Sequence, residues 1–277
     1  MPHLDLGDGF SLYYEVHGPK VTDRAPILLA HGAGGNAMSW WQQVPVLAER
    51  YRVITFDHRA FGRSPDVEEG PGRIAFGPDV RALLKHLDVA RVHFVAHSMG
   101  GRTAFGLFAR EPSMIASLIY SGTNGGCVDD RYRARRKELE EDGTLTGSLL
   151  ARATAEDYAG DSPDMHFLYR QIRGINPKRP RDFLAPTGRM VNYRGSTATR
   201  LRESGIPILW IVGERDRVIP AELIRISHEL TPGSRFVDIP GAGHSSYFEH
   251  PAAWNDAVLA FLDDVEAGRI LRPPITP

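Results

Sequence analysis

The stretch VAHSMGGRTAFGLFAR, Val95 to Arg110, reads as a short apolar strand that breaks into a helix, and Ser98 stands in the break. In a parallel sheet, ligands bind at the carboxyl ends of the strands, and a tight strand-to-helix turn lifts its central side chain toward that edge. Such a turn holds the serine in a strained conformation, so its neighbours must be small. Ala96 and Gly100, with Gly101 beside them, meet that requirement. The first amides of the following helix, beginning with Met99, aim donors at the same spot, where the helix dipole favours negative charge. A hydroxyl placed there can attack an acyl carbonyl, provided that a base takes its proton, a carboxylate orients the base and a second donor completes the oxyanion site.

Each missing part has a candidate in a loop that follows a strand-like run. In ILLAHGAGGNAMSWW, the amide of Ala33 is the expected second oxyanion donor, with that of Gly34 in reserve. WIVGERDRVIP supplies Asp216 as the orienting carboxylate, with Glu214 ranked behind it, and DIPGAGHSSYFEHP supplies His244 as the base. Gly34, Trp40 and Tyr247 are the candidate substrate contacts; Trp40 and Trp41 also suit the apolar face of a helix, and Trp210 suits the core. His97 adjoins the serine, but neighbours on an extended segment face opposite ways, so a packing or loop-bracing role is expected for it. His93 and His97 share a face but lie roughly 13 Å apart at about 3.3 Å per residue, too far for one metal ion. The remaining histidines lack ligand spacing, and no metal or organic cofactor is expected.

These loops need a scaffold, and the chain alternates as one would. LDLGDGFSLYYEVHG reads as an antiparallel hairpin turning at Asp8-Gly9. The apolar runs PILLAHG, RVITFD, VHFVAHS, SLIYSG, PILWIVG and SRFVDIP follow, and helical patterns such as DVRALLKHLD, GGRTAFGLFARE and AELIRISHEL separate most of them. Uniformly apolar strands between amphipathic helices imply an α/β fold, a mostly parallel eight-stranded sheet covered on both faces. From 125 to 204 the strands vanish, and RYRARRKELEEDG, LLARATAEDYAG and GINPKRPRDFLAP read as a helical insertion after the sixth strand. The expected core is therefore 1–124 with 205–277. The charge run Arg131 to Asp142 reads as a solvated helix face with mixed-sign pairs.

Composition narrows the partners. A chain of 277 residues, 42% of them hydrophobic, with a mean hydropathy of -0.28, can bury a large core. Its 33 basic and 34 acidic residues nearly cancel, which removes the bulk attraction that recruits nucleic acid or an anionic membrane, so a small-molecule substrate is expected. One cysteine, Cys127, excludes an intramolecular disulfide and Cys-based zinc sites. No run approaches the roughly 20 apolar residues of a membrane span, and the amino terminus lacks a signal-peptide pattern, so a cytoplasmic location is expected.

In five features the chain resembles a capped, single-domain α/β-hydrolase-fold enzyme of the esterase and lactonase kind: the HG loop at His31-Gly32, DHRAFGRS at Asp57 to Ser64, the elbow AHSMG, the acid loop GERD and the base loop GAGH. The resemblance spans nearly the whole chain. It implies Ser98 as nucleophile, His244 as base, Asp216 as its orienter, the amides of Ala33 and Met99 as the oxyanion hole, and the insertion as a lid. Asp129 or Asp130, just past YSGTNGG, is an alternative orienter, because some members of the fold take their acid from that region. Alanine replaces the usual glycine at Ala96 and Ala60, and a serine at the elbow argues against the dehalogenase and epoxide hydrolase branches. The expected reaction is hydrolysis of a carboxylic ester or lactone through an acyl-enzyme. A carbon-carbon hydrolase of a vinylogous diketone acid is the alternative, which would need a carboxylate-binding cation such as Arg170, Arg173, Arg189 or Arg194. A ligand-binding protein without turnover is the alternative of another class.

Overall fold

Runs of aliphatic residues buried on both sides become the central strands. In the computed structural model, which describes residues 2–7, 9–179, 183 and 197–270, every residue of β3 (Ile27–Ala30), β4 (Val53–Phe56) and β5 (Val92–His97) is buried. The chain divides into two compact units, Met1–Ala116 with Leu168–Arg194, and Ser117–Phe167 with Gly195–Pro277.

In the first unit, β1 (His3–Asp5) pairs antiparallel with β2 (Ser11–His17), and the intervening turn uses Gly9 at φ 78°. β2 pairs antiparallel with β4, and β3 runs parallel to both β4 and β5, giving the order β1-β2-β4-β3-β5. At the carboxyl end of β3 and β5 the register sets Ala30 opposite Ala96. Helices Phe76–His86 and Gly100–Phe108 touch backbone to backbone, since a Cβ on Gly77 would lie 3.0 Å from the Gly106 carbonyl carbon. The first of these buries Phe76, Val80, Leu83 and Leu84, the face that its spacing predicts.

The second unit carries most of β6 (Ile115–Ser121) together with β7 (Ile208–Gly213) and β8 (Arg235–Ile239), all parallel. Trp210 is wholly buried, stacked on Tyr120 at 4.7 Å, and donates its indole N–H to Thr231 at 3.0 Å. SRFVDIP, read from sequence as uniformly apolar, forms a strand that is half-buried from Arg235 to Val237, exposed at Asp238 and buried at Ile239. Eight strands thus form, mostly parallel with an antiparallel opening hairpin, as the sequence predicts. Within 125–204 the described residues form the helices Asp130–Glu141, Leu149–Arg152, Tyr158–Asp161, Pro163–Gly174 and Thr197–Glu203, joined by turns and loops. Asp129 caps the first of these by accepting from the Tyr132 amide, and Arg135 with Glu138 and Arg136 with Glu140 form exposed pairs along it. Among the described residues no helix is long and apolar enough to cross a membrane.

Candidate active site

The serine junction is built on close backbone approach. Ser98 adopts φ 49°, the left-handed region that costs an L residue about 1–2 kcal/mol, between β5 and helix Gly100–Phe108. A Cβ on Gly100 would lie 2.5 Å from the Ala30 carbonyl oxygen, which explains why the sequence needs glycine two residues after the serine. A Cβ on Gly32 would lie 3.1 Å from the Ser98 Cβ and 2.7 Å from the His97 ring. The glycine-rich loop after β3 and the serine turn are therefore in contact, and His97, buried, packs against that loop. Met99 occupies the N-cap position of the following helix.

A chain of hydrogen bonds fixes the loop. His31 and His58 are both buried. The His58 main-chain N–H donates to His31 Nε2 at 3.0 Å, which leaves that nitrogen without a proton and gives His31 Nδ1–H to the Gly32 carbonyl at 2.8 Å. His58 Nδ1 also lies 3.0 Å from His31 Nε2, and His58 Nε2 lies 2.8 Å from Thr103 Oγ1; with both rings neutral, the chain of donors runs from Thr103 through His58 to His31. Burial drives His31 down to about 3, against the pull of the Gly32 bond and helped by the nearby charge of Arg179. Burial also pushes His58 well below its ordinary value. Because a peptide unit is planar, pinning the Gly32 carbonyl also orients the Ala33 N–H in the same plane.

Two asparagines hold the loop from its other side. Asn176 Nδ2 donates to the Gly34 carbonyl at 3.1 Å, while its Oδ1 accepts from the Gly62 amide at 2.9 Å. Asn36 caps helix Ala37–Trp40 and donates to the Ile172 carbonyl at 2.8 Å. Beneath them, buried Asp57 accepts from the amides of Ala37 at 2.6 Å and Arg63 at 2.7 Å, and burial pushes its carboxyl up. Ala60, in the same segment, takes φ 67°, so the alanine that stands in a usual glycine position is itself in the left-handed region.

In the second unit, His244 Nδ1 lies 2.8 Å from Asp216 Oδ2, and both residues are buried. Asp216 Oδ1 accepts from the amides of Val218 at 2.7 Å and Ile219 at 2.9 Å, which fixes the carboxylate. Glu214 turns elsewhere, accepting from the Gly241 amide at 2.9 Å, and Asp129 is engaged as a helix cap. Glycines make the meeting possible. A side chain on Gly213 would strike the carbonyls of Ala242 and Gly243, one on Gly243 would strike the Ala155 backbone, and one on Gly122 would lie 3.1 Å from His244 Nδ1. Glu249 Oε2 accepts from the amides of Gly243 at 3.0 Å and Ala155 at 2.8 Å, so a buried carboxyl, pushed up by that burial, anchors the residue before His244.

Among the expected substrate contacts, Gly34 lies under the Arg173 guanidinium, Trp40 is wholly buried, and Tyr247 is buried beside Phe248 and Trp254. Trp41 is 44% exposed, and Arg170 is exposed. Arg189 and Arg194 lie outside the described residues. Among the described residues no group of three or more His, Cys, Asp or Glu side chains could hold a metal ion. Sequence reasoning missed His58, Thr103, Asn176 and Glu249. Glu249 was within reach, because a carboxylate five residues past His244 sits in the same quoted run. Asn176 was not, since its partner Gly34 is 142 positions away.

Comparison with known proteins gives the family. Residues 25–251 match the family model described as alpha/beta hydrolase fold. A thermophilic esterase from Thermogutta terrifontis is similar at 25% identity and a TM-score of 0.73, over 92% of this chain and 94% of that one. A hydrolase from Pseudomonas aeruginosa PA01 is similar at 27% and 0.73, over 94% and 97% of the two chains. A bromoperoxidase from Bacillus anthracis is similar at 27% and 0.69, over 92% and 96%. The chain therefore belongs to the alpha/beta hydrolase fold family.

Proposed function

We propose that the protein is a serine hydrolase of carboxylic esters or lactones of small or medium size, with residues 125–204 as its lid. The observation that carries the reading is Ser98 held at φ 49° on a strand-to-helix turn, against the glycine of the neighbouring loop. A residue kept in that strained region at a ligand-facing edge is best explained by a role for its hydroxyl. The His244–Asp216 pair supports the same reading. With Nδ1–H donated to Asp216, Nε2 is the basic nitrogen of the ring, and it takes the Ser98 proton as the oxygen attacks the acyl carbonyl. The amides of Ala33 and Met99 receive the oxyanion, and the alcohol leaves with the proton returned by His244. Water, deprotonated by the same nitrogen, then attacks the acyl-enzyme and releases the acid. Gly34, Trp40 and Tyr247 are proposed to shape the substrate site, and the likeness to the Thermogutta terrifontis esterase favours an ester substrate.

Labelling by a fluorophosphonate probe tests the reading. The wild-type chain is expected to label and Ser98→Ala is not, while Asp216→Asn lowers kcat on p-nitrophenyl esters by about 10⁴ through the wrong imidazole tautomer. Folded wild-type protein that fails to label overturns the reading in favour of a ligand-binding protein. Lactones and a vinylogous diketone acid, assayed alongside, distinguish the reaction types.

A further inference from the structure

Two arginines rest on the loop beside Ser98, and among the described residues no acid neutralises them. The Arg173 guanidinium, on helix Pro163–Gly174, fills the space over Gly34 in which a side chain would begin. Arg179 donates to the carbonyls of Ala60 at 3.0 Å and Ala33 at 3.4 Å and lies 3.9 Å over the Phe61 ring. Gly32, one residue before Ala33, is the glycine that abuts the Ser98 Cβ. The two cations thus flank the stretch from 33 to 34 that continues directly from the serine's neighbour.

Among the described residues no carboxylate pairs with either, whereas buried Arg59 in the same unit is closed by Asp79 at 3.0 Å and Asp66 at 3.1 Å. Main-chain carbonyls satisfy donors but cancel no charge, and a neutral amide would serve as well if capping were the only task. Burial, and after it the charge of Arg173, holds the Arg179 guanidinium below its ordinary value, so the two groups repel each other. The Tyr169 ring, 5.9 Å from the Arg173 guanidinium carbon, backs that side chain. A planar fork over the loop that abuts the serine turn matches the two oxygens of a carboxylate.

We propose that Arg173 and Arg179 form a carboxylate-binding subsite on the oxyanion loop, so that the substrate is an ester or lactone that carries a carboxylate elsewhere in the same molecule. Only the word substrate rests on the hydrolase reading; the anion site rests on the arginines. Calorimetric titration of the Ser98→Ala chain with monomethyl glutarate and with dimethyl glutarate tests it. The acid is expected to bind about tenfold to a hundredfold more tightly than the diester, the ratio for a charged hydrogen-bonded contact. Arg173→Gln and Arg179→Gln, each added to that background, are expected to remove most of the preference, and Arg173→Lys to keep part of it. Equal affinity for the two ligands, binding of neither, or a loss in R173Q that is the same for both overturns the proposal. Should R173Q fail to melt as a folded protein, the parent's preference and the Arg173→Lys variant decide. Fluorophosphonate labelling of the wild type keeps the two readings apart: no labelling with the acid preference intact overturns the hydrolase alone, and labelling without preference overturns the subsite alone.

Discussion

Ser98 is strained because its hydroxyl has to leave the sheet, and that strain is measurable without any substrate. At φ 49° a glycine is relieved of about 1–2 kcal/mol that serine or alanine pays, and it gives back about 0.5–1 kcal/mol through the freer unfolded chain. Ser98→Gly is therefore expected to be more stable than Ser98→Ala by about 0.5–1 kcal/mol, read from urea midpoints, although neither labels with fluorophosphonate. Equal midpoints would mean that the turn is relaxed. The serine and its small neighbours were legible in sequence because the constraint is local: Gly100 is forced by the Ala30 carbonyl, and Ala96 by Ala30 across the ladder. The carboxylate partner of His244 was legible only as Asp216 ranked ahead of Glu214, with Asp129 or Asp130 as a further alternative. Asp216 and Glu214 stand two positions apart, and only folding shows that the first meets His244 and the second accepts from the Gly241 amide.

At the scale of the elements, apolar runs between helical periods predicted the strands well, since burial on both faces leaves a plain mark. What they could not display is how loops are tied. The loop that carries His244 is secured by Glu249, whose Oε2 holds the amides of Gly243 and Ala155. Glu249→Ala orphans both, and at about 1–3 kcal/mol for each buried donor it is expected to cost about 2–6 kcal/mol and to lower kcat on esters by loosening His244. Glu249→Gln keeps an acceptor oxygen and is expected to recover most of both losses. If the alanine and glutamine variants lose kcat equally, the carboxylate's charge rather than its hydrogen bonds matters. The glycine-rich loop after β3 is tied in the same manner by Asn176 and the His31–His58–Thr103 chain, whose members are far apart in sequence. No spacing rule exposes such ties.

For the whole molecule, buried neutral histidines set the response to acid. His31 is held near 3 in the folded chain against an ordinary 6.5, and His58 is displaced in the same direction. Between those limits the unfolded chain binds protons that the folded chain refuses, so stability rises with pH there and is lost as pH falls. Asp57 and Glu249 act in the opposite sense: their carboxyls are pushed up, the folded chain takes protons first, and acid favours it at their sites. Their opposition is felt near and above the ordinary carboxylate values of 3.8 and 4.5, which leaves the upper part of the histidine range the cleaner window. Acidification from about pH 7 to about pH 5.5 is thus expected to lower the urea midpoint, with a slope approaching about 1.4 kcal/mol per pH unit for each histidine below its ordinary value. Substituting His58→Gln, which retains a donor and an acceptor toward His31 and Thr103, removes one of the two titrating groups and is expected to roughly halve that slope. A midpoint that stays constant or rises over this range would show that the two rings accept protons inside the folded protein. The directional chain from Thr103 to the Gly32 carbonyl would then have to be abandoned, together with the orientation it gives to the Ala33 amide.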